Sequence, residues 1–134
     1  MIKDTWKKNY EQIPVENLGL DIKNPRTDTG ESITYEELIE ELLSENIMDL
    51  IESISVKGYA AVSVLMAIKE SGKYTVVDGN RRVLAVKILH NPAVIKAFVP
   101  RIISNSEYEK YRTLSQNKKD EFVTVSRIGT GLTD

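Results

Sequence analysis

Val76-Val77-Asp78-Gly79-Asn80-Arg81-Arg82-Val83-Leu84-Ala85 is the stretch on which the reading of the fold turns. Two β-branched residues lead into a glycine, and the arginines that follow open an apolar run at helical spacing. The chain therefore reads as a strand that passes through a glycine turn straight into a helix. Such a junction also offers a place for an anion, because the first N–H groups of a helix have no partner within it and sit at the positive end of its dipole. Gly79 permits close approach of a phosphate, Asn80 lies at the helix start, and Arg81 and Arg82 offer charge-assisted, two-pronged contacts to phosphate oxygens. Asp78 has the chemistry to hold Mg²⁺ through water or to act as a base. A second reading stands beside this one: Asp78 or Asn80 is simply the helix N-cap, and the arginines are solvated or paired with acidic helices.

Working outward, residues 74–77 form the second arm of a hairpin whose first arm is a buried strand within residues 60–69, with a turn over Glu70-Ser71-Gly72-Lys73. The helix runs over residues 80–90 and is ended by Asn91-Pro92. Residues 97–103 read as a further strand and 107–119 as a helix. Upstream, residues 4–10 are a short helical or irregular entry, and 11–18 alternate as a strand with Pro14 near its start or on an edge. Asn24-Pro25-Arg26 is a turn. Thr34-Tyr35-Glu36-Glu37 has the form of a capping box, and a helix over residues 47–57 stops at Gly58. The fold class expected is α/β (α+β), a small mixed β-sheet flanked by helices. The domain expected spans residues 1–119. Residues 120–134 are polar with two glycines, which predicts a flexible or partner-ordered tail contributing little to the core.

Composition narrows the function. The 134 residues are 41% apolar and 28% charged with a net charge of −2, which describes one folded domain able to build a core without staples. No cysteine is present, which excludes disulfide scaffolds, thiolate metal sites and cysteine nucleophiles. The longest apolar runs fall far short of the roughly 20 residues that span a bilayer, and Met1-Ile2-Lys3-Asp4 is not followed by a signal-type apolar region. The expectation is a cytoplasmic chain with no membrane partner. A pI near 5.5 argues against broad, sequence-independent nucleic-acid binding. Charge is unevenly spread: residues 27–56 carry nine acids and no Lys or Arg, whereas residues 79–106 carry only Arg81, Arg82, Lys87, Lys96 and Arg101 beside His90. An anion is drawn to the second segment, unless the two segments face each other.

The Asp78-Gly79-Asn80-Arg81-Arg82 box resembles the Gly-Glu-Arg-Arg box of the ParB N-terminal domain, and its placement is similar to that of the nucleotide-binding loop of sulfiredoxins. Other segments agree in order. Ile13-Pro14-Val15-Glu16-Asn17-Leu18 resembles the first ParB strand, Asn24-Pro25-Arg26 the Gln-Pro-Arg after it, and Asp49 to Ile54 with Gly58 the helix that precedes the hairpin. The resemblance covers residues 10–103. It implies that Gly79, Asn80, Arg81 and Arg82 cradle a nucleotide, CTP or ATP, with Mg²⁺. It further implies that Ser53, Lys57, Gly58 and Tyr59 lie near the base or sugar. Arg26, after a rigid Asn-Pro turn, reads either as approaching the loop from the first strand or as a solvated turn residue. Asp78 and Arg82 also match the ends of the Asp-Gly-His-His-Arg type loop of ADP-dependent serine kinases. The sequence departs from ParB where Asn80 replaces a Glu, where Tyr59-Ala60-Ala61-Val62 lacks a proline, and where residues 106–134 hold no helix-turn-helix. Without cysteine, sulfiredoxin chemistry is excluded.

Three functions follow: a ParB-like nucleotide-binding regulatory module, an enzyme (NTPase, ParB-like nuclease or small-molecule kinase) with Asp78 as catalytic and metal-holding residue, and an interaction domain with a decayed site. The first is favoured, since the loop lacks a histidine base or a cluster of carboxylates. DNA contacted through another domain or a partner protein, and a homodimer, are the partner arrangements compatible with it. His90, the lone histidine, reads as structural in the last helical turn, and Glu16 and Glu52 are secondary candidates for a metal-activating carboxylate. Trp6 and the tyrosines read as core or boundary residues rather than base-stacking ones.

Overall fold

The computed structural model describes residues 10–22, 33–59, 64–77, 79–117 and 121–128. The elements run β1 (Tyr10–Pro14), a 3-10 turn (Val15–Asn17), β2 (Leu18–Gly19), α1 (Tyr35–Ser44), α2 (Met48–Lys57), β3 (Leu65–Glu70), β4 (Lys73–Val77), α3 (Asn80–His90), a 3-10 segment (Pro92–Phe98), α4 (Asn105–Ser115) and β5 (Phe122–Arg127). This is the mixed α/β architecture that the pattern of strands and helices predicts. Local chemistry explains most boundaries. Thr34 and Glu37 close the capping box in both directions, at 3.0 and 2.8 Å, and α1 begins there. Gly58 ends α2 at φ 86°, where a side chain is disfavoured. Ser71 and Gly72 both take positive φ, the conformation of a two-residue hairpin loop, and this sets the β3–β4 register Glu70↔Lys73 and Lys69↔Tyr74.

The sheet order is β1-β5-β3-β4-β2, so β1 and β2 lie on opposite edges although only Val15–Asn17 separates them. Both run in one direction: the segment pairs first with β5, antiparallel, and then with β4, parallel. A flat five-stranded sheet would separate those edges by about 19 Å before any stagger. Four Cα steps from Pro14 to Leu18 span at most about 15 Å. The sheet must therefore curl until its edges approach. A side-chain contact records the same closure, because Tyr74 Oη on β4 donates to Glu11 Oε1 on β1 at 2.6 Å although two strands separate them in the order. Glu11 Oε2 lies 3.3 Å from Arg127 Nε on β5. The bond to the Glu11 carboxylate, together with burial, pushes the Tyr74 phenol above its ordinary value.

Inside the curl, Ile13, Val15, Leu18, Leu65, Ala67, Tyr74, Val76, Val123 and Val125 are buried. Against them packs α3, in which Val83, Leu84, Ala85, Val86, Ile88 and Leu89 are all 0–1% exposed, so the helix is apolar nearly all round and occupies the centre. Helices α1, α2 and α4 and the 3-10 segment pack on it in turn. Its last turns also grip the strand crossing, since Lys87 Nζ donates to Val15 O at 3.3 Å and His90 Nε2 lies 3.6 Å from Glu16 Oε2. Burial, with the charge of Lys73 beside it, pushes the Lys87 ammonium below its ordinary value against the opposing pull of Glu16.

Several expectations are corrected. The strand over residues 11–18 is interrupted, because the chain changes partner strand and takes a 3-10 turn at Val15–Asn17; Pro14 closes β1 on the sheet edge, where its missing N–H is tolerated. Residues 97–103 are not a strand. Their backbone bonds are local, from Val99 N to Lys96 O at 3.2 Å and from Ile102 N to Phe98 O at 2.7 Å, and Pro100 withholds a donor; Ile95, Phe98 and Ile103 are buried from turns instead. The tail expected at residues 120–134 contains β5, which lies between β1 and β3 with Val123 and Val125 buried, so the folded unit extends past residue 119. A strand with alternating Val in a short polar segment becomes central because sheet pairing is non-local. The entry over residues 4–10, apart from Tyr10 in β1, and the Asn24-Pro25-Arg26 turn lie outside the described residues. So do residues 60–63 of the expected first hairpin arm. No helix among the described residues is long and apolar enough to cross a membrane.

Two measurements check this arrangement. A chain ended after Glu121 loses two buried valines worth about 1.5–3 kcal/mol each and the ladders on both sides of β5, a loss comparable with a whole domain's usual stability; its thermal melt by circular dichroism should lose its cooperative transition. Lys87 carries the second. With its folded value held below the unfolded 10.5, the unfolded chain binds the extra proton in that window, so this group's contribution to stability rises with pH up to about 10. Urea unfolding from pH 7 to 10 should show that rise in the wild type and its loss in Lys87→Met.

Candidate functional site

At the end of β4 the chain reaches Gly79, the N-cap of α3, at φ −161° and ψ 26°. This is extended backbone that any residue adopts, so what glycine supplies here is room rather than conformational freedom. A Cβ would stand 3.0 Å from Val76 Cγ1, 3.3 Å from Leu65 Cδ2 and 3.2 Å from Arg82 Nη2. Two of these neighbours are walls of the core. The third shows that the half-buried Arg82 turns its guanidinium back over the glycine at the helix start. As N-cap, glycine brings no side chain to the first turn, and no acid stands in that turn. The amide dipoles of α3 and one guanidinium therefore converge on the same few ångströms, an arrangement that favours negative charge.

Asn80 and Arg81 diverge from that point. Asn80 is 2% exposed, and its carboxamide is engaged at both ends by one residue: Asp21 N donates to Oδ1 at 2.8 Å, and Nδ2 donates to Asp21 O at 3.2 Å. Its side chain is thus committed to the chain leaving β2, and its backbone N–H is what it offers the loop. Arg81 is exposed and reaches Glu45, just beyond the end of α1, at 3.6 Å. Arg101 meets Glu40 of the same helix at 2.6 Å, so the acidic and basic segments do face each other across the helices. Such half-exposed pairs are weak and leave Arg81 able to exchange partners.

The other residues assigned to the site are engaged as follows. Ser53 and Lys57 are exposed on α2, and Gly58 is its C-cap, donating to Ile54 O at 2.7 Å. Tyr59 is buried, with its hydroxyl 3.4 Å from Val86 O. Val86 lies six residues along α3 from Asn80, about 9 Å from the helix start, so Tyr59 serves the core at mid-helix. Asp78 and Arg26 lie outside the described residues. Glu16 Oε2 lies 3.6 Å from His90 Nε2, and Glu52 pairs with Lys110 at 2.9 Å. Among the described residues no group of three or more His, Asp or Glu side chains is placed to hold a metal ion. A Mg²⁺ at this loop would draw on a carboxylate and on phosphate oxygens together.

Sequence reasoning missed Asp21, whose backbone is the partner of the buried carboxamide. A separation of 59 residues leaves no local signal, although an Asn among apolar helical residues is a sign that a buried partner is required. No protein-family model matches this chain, and a search of curated proteins finds no match.

Room at Gly79 is directly testable. Gly79→Ala crowds Val76, Leu65 and the end of the Arg82 side chain by a few tenths of an ångström, and it should destabilise the fold by about 1 kcal/mol in urea unfolding.

Proposed function

We propose that the chain is a ParB-like nucleotide-binding module that takes the phosphates of its ligand at the Gly79–Arg82 loop, in a regulatory or DNA-associated role. The observation that supports this best is the guanidinium of Arg82 lying over Gly79, the glycine N-cap of α3. First-turn N–H groups bind one set of phosphate oxygens and the planar fork of Arg82 a second set, while Arg81 exchanges Glu45 for a more distal phosphate. Because α3 is packed on every side, these donors are held in place before the ligand arrives, which lowers the ordering cost of binding. Ser53 and Lys57 are exposed on the helix that packs against α3, and in this reading they are the residues assigned to the base or sugar.

A thermal-shift panel of nucleoside mono-, di- and triphosphates, each with and without Mg²⁺, tests the reading, since a ligand at 100 times its Kd stabilises by about 2.7 kcal/mol. Calorimetry then apportions the site. Each charge-assisted bond is worth roughly 1.5–3 kcal/mol, so Arg82→Ala should weaken binding by about one to two powers of ten. Arg82→Lys should recover only part of that loss. Equal affinity for Arg82→Ala and the wild type, or no nucleotide bound at millimolar concentration, would overturn the proposal.

A further inference from the structure

We infer that Asn80 is a positioning residue of the phosphate site, acting through the backbone of Asp21 rather than by touching the ligand with its side chain; the inference rests on the phosphate reading above. The loop residue types suggest the opposite, a side chain aimed at the phosphate. The geometry points elsewhere. Asn80 is the first residue of α3 and 98% buried, and both ends of its carboxamide are taken by the N–H and C=O of one residue 59 positions away. An amide that accepts and donates to the same residue imitates a strand neighbour. It does so where one is needed: β2 pairs with β4 through Leu18↔Tyr74 and Gly19↔Thr75, and two residues later Asp21 has passed towards the end of β4, which stops at Val77. The Asn80 side chain continues the ladder past the last strand residue and fastens Leu20–Asp21 to the helix start.

The consequence concerns the site directly. The first turn of α3 and the chain leaving β2 become one rigid rim, so the first-turn N–H groups and the Arg82 guanidinium stand in fixed register against it. An alanine at position 80 removes no ligand contact on this account; it breaks both hydrogen bonds to the Asp21 backbone and lets the rim move, and small misplacements of a binding group are costly. Asp21→Pro reaches the same link from the other side, because it deletes the donated N–H while leaving α3 untouched.

A double-mutant cycle read by calorimetry, with ATP, CTP and inorganic phosphate as probes, decides the matter. Asn80→Ala and Asp21→Pro should each weaken the probe that the wild type binds by about tenfold, and the double variant should bind no worse than either single one, because both break one link. Additive losses, or wild-type affinity in Asp21→Pro, would overturn the inference and return Asn80 to direct contact with the ligand. A wild type that binds none of the probes fails the phosphate reading itself, which is a different result from any ranking of the variants. Hydrogen exchange on the wild type alone keeps the test open if a variant does not fold: the binding probe should slow exchange of the Asp21 amide, and an unchanged rate would count against the link.

Discussion

Three residues, Val15–Asn17, join the two outermost strands of the sheet, and the rest of the structure follows from that short tether. A flat sheet cannot satisfy it. The strands curl until Glu11 of β1 and Tyr74 of β4 share a hydrogen bond, and a curled sheet has one concave face to fill. What fills it is α3, and this is why that helix is apolar nearly all round instead of along one stripe. Lys87, towards its far end, holds the tether that made the curl necessary through the Val15 carbonyl, and His90 stands beside Glu16 of the same tether.

The proposed site is a by-product of the same packing. A central helix entered from the end of β4 has its start walled by Val76 and Leu65, which leave little room beside Gly79. The donors there are held by the core, so their direction does not depend on surface loops. The polar group that would ordinarily be a surface cap, Asn80, is turned inward and used to bind the chain leaving β2. Arg81 and Arg82 are neighbours in sequence, yet successive helical positions point about 100° apart, so one meets the acidic helix α1 and the other folds over the glycine.

The elements that reasoning from sequence places well are those whose causes are local. The capping box at Thr34, the stop at Gly58, the positive-φ pair Ser71-Gly72 and the entry into α3 each depend on residues within a few positions. The failures have one origin. Apolar residues 97–103 resemble a strand by composition but bury themselves from turns, and Phe122–Arg127 looks like a polar tail until β1 and β3 flank it.

Sequence alone determined the α/β class, the hairpin, the helix boundaries set by caps and glycines, and the existence of a glycine-to-arginine junction at the start of a helix. Tertiary structure alone decided that β5 is internal, that β1 and β2 lie on opposite edges, that Asn80 faces Asp21 and that Arg82 rather than Arg81 overhangs Gly79. The division has a physical reason. Dihedral preferences and caps act over one or two turns of chain and are written in adjacent residues. Strand partners and the neighbours of a buried amide are chosen by which distant segments can share a core, and in this chain that choice was made by the three-residue tether between the sheet's edges.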